Sequence, residues 1–434
     1  MTADLESLAR ERGIKYFLIS FSDLAGTARA KLVPASAIAD MQRDGAGFAG
    51  FAAWLDMTPA DPDILAVPDS SSVIQLPWKP EVAWVAADLR IDGHPLAQAP
   101  RSVLRAAMRR ATEAGYELRT GVECEFFILS ADGREIADVA DRQTKPCYDQ
   151  HALMRRYDLI AEICDAMHQL GWGPYQNDHE DANGQFEMNW QYADALTTAD
   201  RHTFFKYMVR TLAEQRGLRA TFMPKPFSHL TGNGCHVHVS LWDTRGTNLF
   251  ADPAGKQDLS PLAAHFLGGV MHSAAALCAF TNPAVNSYRR INAPTTTSGA
   301  TWSPNTITYG GNNRTHMVRI PAPGRFELRL PDGAANPYLL PAAILIVGLD
   351  GIAHGRSPGA RHDENMYEAS GSVDAAAKLP ENLADALDAF EKSVVLTEGL
   401  GSRFTEAYLK HKRAEWRSYL GHVSPWETEH TLDC

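Results

Sequence analysis

The sequence is poor in the features that mark several large classes of protein. Its six cysteines (Cys124, Cys147, Cys164, Cys235, Cys278 and Cys434) form no CxxC pair and no even framework of spacings. That argues against a disulfide scaffold and for reduced thiols in a cytoplasmic protein. Positive charge is in deficit: 41 Lys and Arg against 52 Asp and Glu leave a net −11. Neither a nucleic acid nor an anionic membrane is therefore an expected partner. Long hydrophobic runs are missing. The apolar stretches at residues 267–280 and 339–353 are short or interrupted by Asp350, and they read as buried helices rather than membrane spans. Residues 1–12 are charged and lack the apolar centre of a signal peptide. No GxxxxGK[ST] and no protein-kinase motif set occurs, so a nucleotide would not sit on a P-loop. No internal repeat or low-complexity tract is visible.

What is present is an ordinary globular composition, 45% apolar and 21% charged, in 434 residues. That length buries a large core and suggests two domains. Residues 15–21 read as a strand, and Asp23-Leu24-Ala25-Gly26 as a turn into a second one. Residues 45–53 read as a loop of small and aromatic residues, 61–68 as extended, and 73–76 and 82–88 as strands. A polar, turn-rich stretch at 90–99 marks a boundary between a strand-rich module, 1–99, and a larger unit, 100–434. In the latter, apolar spacing predicts helices over 101–115, 152–171, 197–217, 262–280, 341–353, 381–392 and 403–420. Residues 292–313 have little apolar periodicity and form a long loop, of the kind that often serves as a lid.

The chain is organised around residues 118–129, an alternating strand. Glu123 and Glu125 share one face, and Val122, Cys124 and Phe126 share the other. Two carboxylates side by side repel by about 4 kcal/mol at about 4 Å for an effective dielectric near 20. Taken alone, such a pair is more often solvated than functional. Three more segments repeat the pattern, however. Glu187 and Asn189 oppose Phe186, Met188 and Trp190; His236, His238 and Ser240 oppose Val237, Val239 and Leu241; Glu327 sits in a fourth alternation at 325–329. Glu180 lies across a turn, Asp181-Ala182-Asn183-Gly184, that returns it towards Glu187. Together they predict an antiparallel sheet with an acidic concave face. Five glutamates share a pocket in ionised form only with cations present. Carboxylates with one imidazole favour Mg²⁺ or Mn²⁺ over zinc, and six ligands suit two ions with open positions for substrate. Arg290, Arg314, Arg319, Arg325 and Arg329 fall within forty residues. Each alone reads as a surface ion pair; interleaved with metal ligands they suit phosphate and carboxylate, as phosphoryl transfer requires.

At this point the chain resembles the glutamine synthetase superfamily, almost end to end. The resemblance runs through Glu123-Cys124-Glu125-Phe126-Phe127, His179-Glu180 with Gln185-Phe186-Glu187, and Phe222-Met223-Pro224-Lys225-Pro226. It continues in Gly232-Asn233-Gly234-Cys235-His236-Val237-His238, Asn313-Arg314 to Arg319-Ile320-Pro321, Arg325-Phe326-Glu327-Leu328-Arg329 and Ala335-Asn336-Pro337-Tyr338. It implies an α+β fold: an N-terminal β-grasp domain, then a catalytic domain with a curved antiparallel sheet flanked by helices. It also implies a homo-oligomer, commonly a double hexameric ring, with each active site between two subunits. By this resemblance Glu125, Glu180 and Glu187 would hold one divalent ion and Glu123, His236 and Glu327 a second, with two or three Mg²⁺ or Mn²⁺ per site. Gly232, Arg290, Arg314 and Arg329 would hold L-glutamate. Tyr192, His238, Ser240, Arg319 and Arg325 would face ATP, and Arg314 and Glu327 would serve catalysis, Arg314 at the transferred phosphoryl group. The implied reaction phosphorylates the γ-carboxylate and then lets an amine displace phosphate.

Two departures bear on the amine. The family usually carries an Asp in a Gly-Phe-Asp-Gly-Ser-Ser loop; this chain reads Gly47-Phe48-Ala49-Gly50-Phe51-Ala52. A site that loses a carboxylate and gains a phenyl ring favours an amine with an apolar substituent. The expected amine pocket is Ala49, Phe51, Tyr148 and Glu180. In addition, the family's flap glutamate is missing: residues 291–313 contain no Asp or Glu, although Trp302 and Tyr309 are there. Thr231 also stands where Asn is usual. These changes are most similar to the γ-glutamylmethylamide synthetase branch, with methylamine or another alkylamine as acceptor. The alternatives are a glutamine synthetase using ammonia, a γ-glutamylpolyamine synthetase, and a non-catalytic protein on the same scaffold. Asn365-Met366-Tyr367 resembles a segment that is adenylylated in some relatives.

Overall fold

A computed structural model describes residues 4–252, 254, 258–296, 298–368 and 377–434. The first sheet comprises β1 (Tyr16–Ser22), β2 (Ala28–Pro34), β3 (Ala46–Phe48), β4 (Ile64–Pro68), β5 (Ile74–Gln75), β6 (Val82–Ile91) and β7 (His94–Pro95). Its order is β2-β1-β6-β4-β3, with β5 and β7 also on β6. β1 and β6 run parallel and the other pairs antiparallel. Phe17, Ile19 and Phe21 alternate into a core with Val85, Ala87 and the buried Leu5 and Ala9 of the helix Leu5–Arg12. The expected turn at residues 23–26 closes on Asp23. Its buried carboxylate accepts from Ala25 N, Thr27 N and Arg29 Nε at 2.9–3.1 Å.

The second sheet holds β8 (Tyr116–Ser130), β9 (Pro174–His179), β10 (Gln185–Trp190), β11 (Ala193–Asp194), β12 (Leu218–Thr221), β13 (Cys235–Asp243), β14 (Tyr309–Gly310), β15 (Val318–Ala322) and β16 (Arg325–Leu328). Its order is β14-β15-β16-β13-β8-β10-β9. The 15-residue β8 is the spine, pairing with β10, β11, β12 and β13. One face is apolar: Cys124, Phe126, Val237, Val239 and Phe326 are buried against helices that include Ala195–Glu214 and Leu339–Ala353. There the thiols of the cross-strand pair Cys124 and Cys235 lie 3.5 and 3.8 Å from His202 Nε2, which completes that part of the core. The fold is α+β, with a curved sheet flanked by helices.

Some expectations from apolar spacing need correction. Residues 152–171 are two helices, Gln150–Arg155 and Tyr157–Gln169, broken where Arg156 leaves helical geometry at φ −109° and ψ 12°. Residues 262–280 are likewise two, Pro261–His272 and Ala274–Thr281, meeting at 78°. Both halves of that pair are apolar all round, so the pattern carries no mark of the bend. The first half crosses the helix Leu339–Ala353 closely. A Cβ on Gly269 would sit 1.9 Å from Val347 O, and one on Gly351 2.2 Å from His265 O. Among the described residues no single helix is long and apolar enough to cross a membrane. Residues 45–53 are more regular than a loop, carrying β3 and the 3₁₀ turn Gly50–Ala52. The two sheets are tied by Arg101, buried at the start of the helix Pro100–Glu113. Its guanidinium reaches Asp69, Asp88 and Asp200 at 2.8, 2.5 and 2.9 Å.

Candidate active site

Register decides the site. Glu125 pairs with Glu187 across β8 and β10, and Glu187 with Asp178 across β10 and β9. His236 pairs with Glu123 across β13 and β8. On β16, Glu327 lies opposite both His238 and Arg319. Directly opposed side chains stand within about 5 Å of one another. Five neighbouring strands therefore set carboxylates and imidazoles side by side on one face.

The donors gather into three overlapping clusters, each with its ligating atoms within 4.8 Å: Glu123, His236 and Glu327; Glu125, Glu187 and His236; and Asp178, Glu180 and Glu187. The first is the expected second ion site. The expected first site, Glu125, Glu180 and Glu187, is split between the other two clusters, which share Glu187. Glu125 Oε2 accepts from Gln185 Nε2 and Gly234 N at 2.8 and 2.7 Å, whereas Glu180 Oε2 accepts from Asp181 N at 2.9 Å. Asp178 joins the acidic face without having been foreseen. The period-two run Gln176, Asp178, Glu180 before the turn was the signal that could have found it.

Electrostatics divide the cluster. Burial, and then the charges of Glu125 and Asp178, push the Glu180 carboxyl well above the ordinary range. Burial, with Glu123 and Glu180, does the same for Glu187. Asp178 is pushed up to about 6 by burial and by Glu125 and Glu123. Glu123 is held well below its usual value: burial opposes this, but hydrogen bonds from His236 and His238 prevail. Glu327 is also lowered, against burial, chiefly by Arg329 and His236. It bridges Arg319 Nη1 at 2.8 Å and Arg329 Nη1 at 2.6 Å. Burial and Arg329 keep His236 below the ordinary imidazole range, so it is neutral at neutral pH. Its Nε2 is enclosed without a hydrogen-bond partner, 4.0 Å from Glu125 Oε1. A neutral imidazole and mutually repelling buried carboxylates are a donor set suited to divalent cations. A glycine makes this approach possible: a Cβ on Gly234 would lie 2.8 Å from His236 Nε2, 2.9 Å from Glu125 Oε1 and 3.0 Å from Arg290 Nη2.

Two cavities meet here. One, of about 260 Å³, is walled by the acidic cluster, Tyr148, Thr231, Trp302 and Arg314, Arg319, Arg325 and Arg329. The other, of about 380 Å³, is walled by Tyr192, Trp242, Arg119, Ser240 and Gly121. Glu123, Tyr175, Asn189, His238 and Arg325 line both. His238 Nε2 donates to Glu123 Oε1 at 2.7 Å, and its Nδ1 accepts from Arg325 Nη1 at 2.7 Å. Tyr192 stacks on Trp242 at 6.2 Å, and Arg119 lies over Trp242 at 4.2 Å. Arg119 and Trp242 escaped the sequence reading because each looked like an ordinary strand-end residue.

Other expected residues lie further off. Arg290 sits behind Gly234, its guanidinium spent on the carbonyls of Leu330 and Arg329 at 3.0 and 3.4 Å. The Gly232 carbonyl accepts from Gln185 Nε2 at 3.1 Å. Ala49 and Phe51 are on the first module, Phe51 half-exposed, and line neither cavity of their own chain. The lid, residues 292–313 with 297 outside the described residues, contributes Trp302. Trp302 and Tyr148 both have left-handed backbones, φ 54° and 65°, a conformation few non-glycine residues adopt. The Tyr367 hydroxyl is enclosed beside Thr301 and the Trp302 backbone rather than presented for modification.

A curved sheet lined by metal-type donors, with guanidinium groups opposite and an aromatic-walled cavity adjoining, is the framework of a ligase that brings anions together. The catalytic-domain description "Glutamine synthetase, catalytic domain" matches residues 97–431. A glutamine synthetase of Rhizobium leguminosarum bv. phaseoli is 62% identical over the whole of both chains. A glutamate–methylamine ligase of Methyloversatilis universalis is 42% identical, with 99% of each chain covered. A solved GmaS–ADP complex superposes with a TM-score of 0.97 at 64% identity, covering all of both chains. The chain belongs to the glutamine synthetase family.

Proposed function

We propose that this protein joins the γ-carboxylate of L-glutamate to a small alkylamine, methylamine foremost, at the expense of ATP. The observation that carries the reading is a double one: the acidic cleft opens into the aromatic cavity through His238 and Arg325, and the lid over it has no carboxylate. ATP fits the aromatic cavity, with Tyr192 and Trp242 flanking the base and Arg325 and Arg319 at the phosphates. Glutamate fits the cleft, with Arg329 and Arg314 nearest its charged groups. Divalent ions, held by Glu123, His236 and Glu327 and by Glu125, Glu180, Glu187 and Asp178, would offset phosphate charge when bound. Arg314 and Arg319 then face the transferred phosphoryl group and stabilise its charge. The amine enters beside Glu180, Tyr148 and Trp302.

Ala49 and Phe51 line neither cavity of their own chain, so we assign the working form to a homo-oligomer, a double hexameric ring on the family pattern, in which they would reach the cleft of a second copy. Half-exposed Phe51, Trp54 and Leu32 on the first module supply the apolar contact.

The names of the relatives divide between glutamine synthetase and glutamate–methylamine ligase, and the residues favour methylamine. Ammonium is held by charge; Ala49, Phe51 and Trp302 offer apolar surface instead. The test is kcat/KM for ammonia, methylamine, ethylamine and putrescine with phosphate release as readout. A preference for ammonia refutes the reading, and a preference for putrescine moves the substrate to polyamines.

A further inference from the structure

The lid lacks an acid, but an acid waits beneath it. Asp181 follows Glu180 at the turn between β9 and β10. The turn is pinned from one side by Asp141, which accepts from Gly184 N at 2.6 Å and Asn183 Nδ2 at 2.9 Å and contacts His179 Nε2 at 2.7 Å. Successive side chains at this turn diverge. Glu180 faces the cleft, whereas Asp181 does not line it. The Asp181 carboxylate is buried, 6% exposed. One oxygen, Oδ2, accepts from Thr231 Oγ1 at 2.7 Å and from Ser298 Oγ of the lid at 2.5 Å. Within the lid, Thr296 Oγ1 lies 2.9 Å from Ser298 Oγ and bonds Ala300 O at 2.8 Å, so the hydroxyl reaching Asp181 belongs to a hydrogen-bonded loop tip.

We propose that Asp181 is a positioning residue that latches the 292–313 loop over the cleft through Ser298, with Thr231 sharing the carboxylate. The inference rests on the ligase reading above. Charge-assisted hydrogen bonds of this length are about twice as strong as neutral ones. Lifting the loop would strip a buried carboxylate of one of its two hydroxyl partners, which costs more than losing a solvent-exposed bond. The latch therefore holds the loop down from a rigid base in the sheet, while the lid turns hydroxyls and Trp302 towards the amine. Its consequence is water exclusion. An acyl phosphate waiting for an alkylamine is open to hydrolysis, and a closed lid suppresses that side reaction.

The test uses the full-length enzyme with D181A, D181N and S298A. Amine-independent phosphate release, with ATP and glutamate present, is measured against amide formation. Protease cleavage within residues 292–313 is measured separately. D181A and S298A should each raise the uncoupled fraction about tenfold and speed loop cleavage, with KM for ATP unchanged. D181N keeps an oxygen acceptor and should restore most of the coupling. Wild-type coupling and cleavage in both D181A and S298A would overturn the latch. So would weakened Mg²⁺ binding in D181A with S298A silent, since Asp181 would then act through Glu180. If the wild-type enzyme makes no amide with any amine, the ligase reading fails, while loop cleavage still reports on the latch.

Discussion

Divalent-ion binding should be strongly linked to protons, and the linkage can be sized from one residue. Asp178 lies opposite Glu187 and has its carboxyl pushed up to about 6. A group with that pKa is protonated in roughly three molecules of four at about pH 5.5 and in roughly one of thirty at about pH 7.5. A proton that must leave before the ion binds then weakens Mg²⁺ affinity about fourfold between those values, through Asp178 alone. Glu180 and Glu187, raised for the same reasons, steepen the loss. Calorimetric titration of Mg²⁺ in two buffers of different ionisation enthalpy counts the protons released. Release should grow as pH falls, and Asp178→Asn should remove up to one proton per site. The sign for stability is opposite to that of an ordinary ion-paired acid. The folded pKa lies above the unfolded value of 3.8, so stability from this group is present at low pH and lost as pH rises through about 6. Without metal, the melting temperature of the wild type should fall over that window relative to D178N, and saturating Mg²⁺ should cancel the difference. A Kd for Mg²⁺ that is flat from about pH 5.5 to 7.5, with no proton release, would refute the picture of repelling carboxylates.

Gly234→Ala puts a methyl group within 3.0 Å of His236, Glu125 and Arg290; turnover should fall by about 10–100-fold with the melting temperature little changed, measured by phosphate release and thermal melting. Trp242→Ala removes the ring beneath Arg119 and beside Tyr192; KM for ATP should rise about tenfold while KM for glutamate holds, since a lost aromatic contact is worth about 1–2 kcal/mol. Arg101→Ala strands Asp69 and Asp200 beside the joint between the two sheets; denaturant unfolding should show a loss of about 3–5 kcal/mol, and a shift below 1 kcal/mol would mean that the joint is held elsewhere.

Which residues gather on one face was legible because a strand writes its two faces into its sequence. Glu123, Glu125, Glu187, His236 and Glu327 each stand in a period-two run against buried apolar neighbours, and all five line one cleft or its floor. Helix interruptions were not legible. Arg156 and the joint near Ser273 lie inside apolar patterns that continue on both sides. The short helices Ile38–Asp44 and Val394–Leu400 are seven residues each, too brief for periodicity to stand out.

The sequence by itself determined the alternation, the donor types and the acid-free lid, because these are properties of neighbouring residues. Only the tertiary structure decided who faces whom. Register set Asp178 against Glu187 and gave Glu187 to two clusters. The return of a turn brought Asp181 under Ser298, 117 positions away. Strand order also kept Ala49 and Phe51 out of their own chain's cleft. Such pairings depend on hydrogen-bond register and packing between distant segments, which no local pattern encodes.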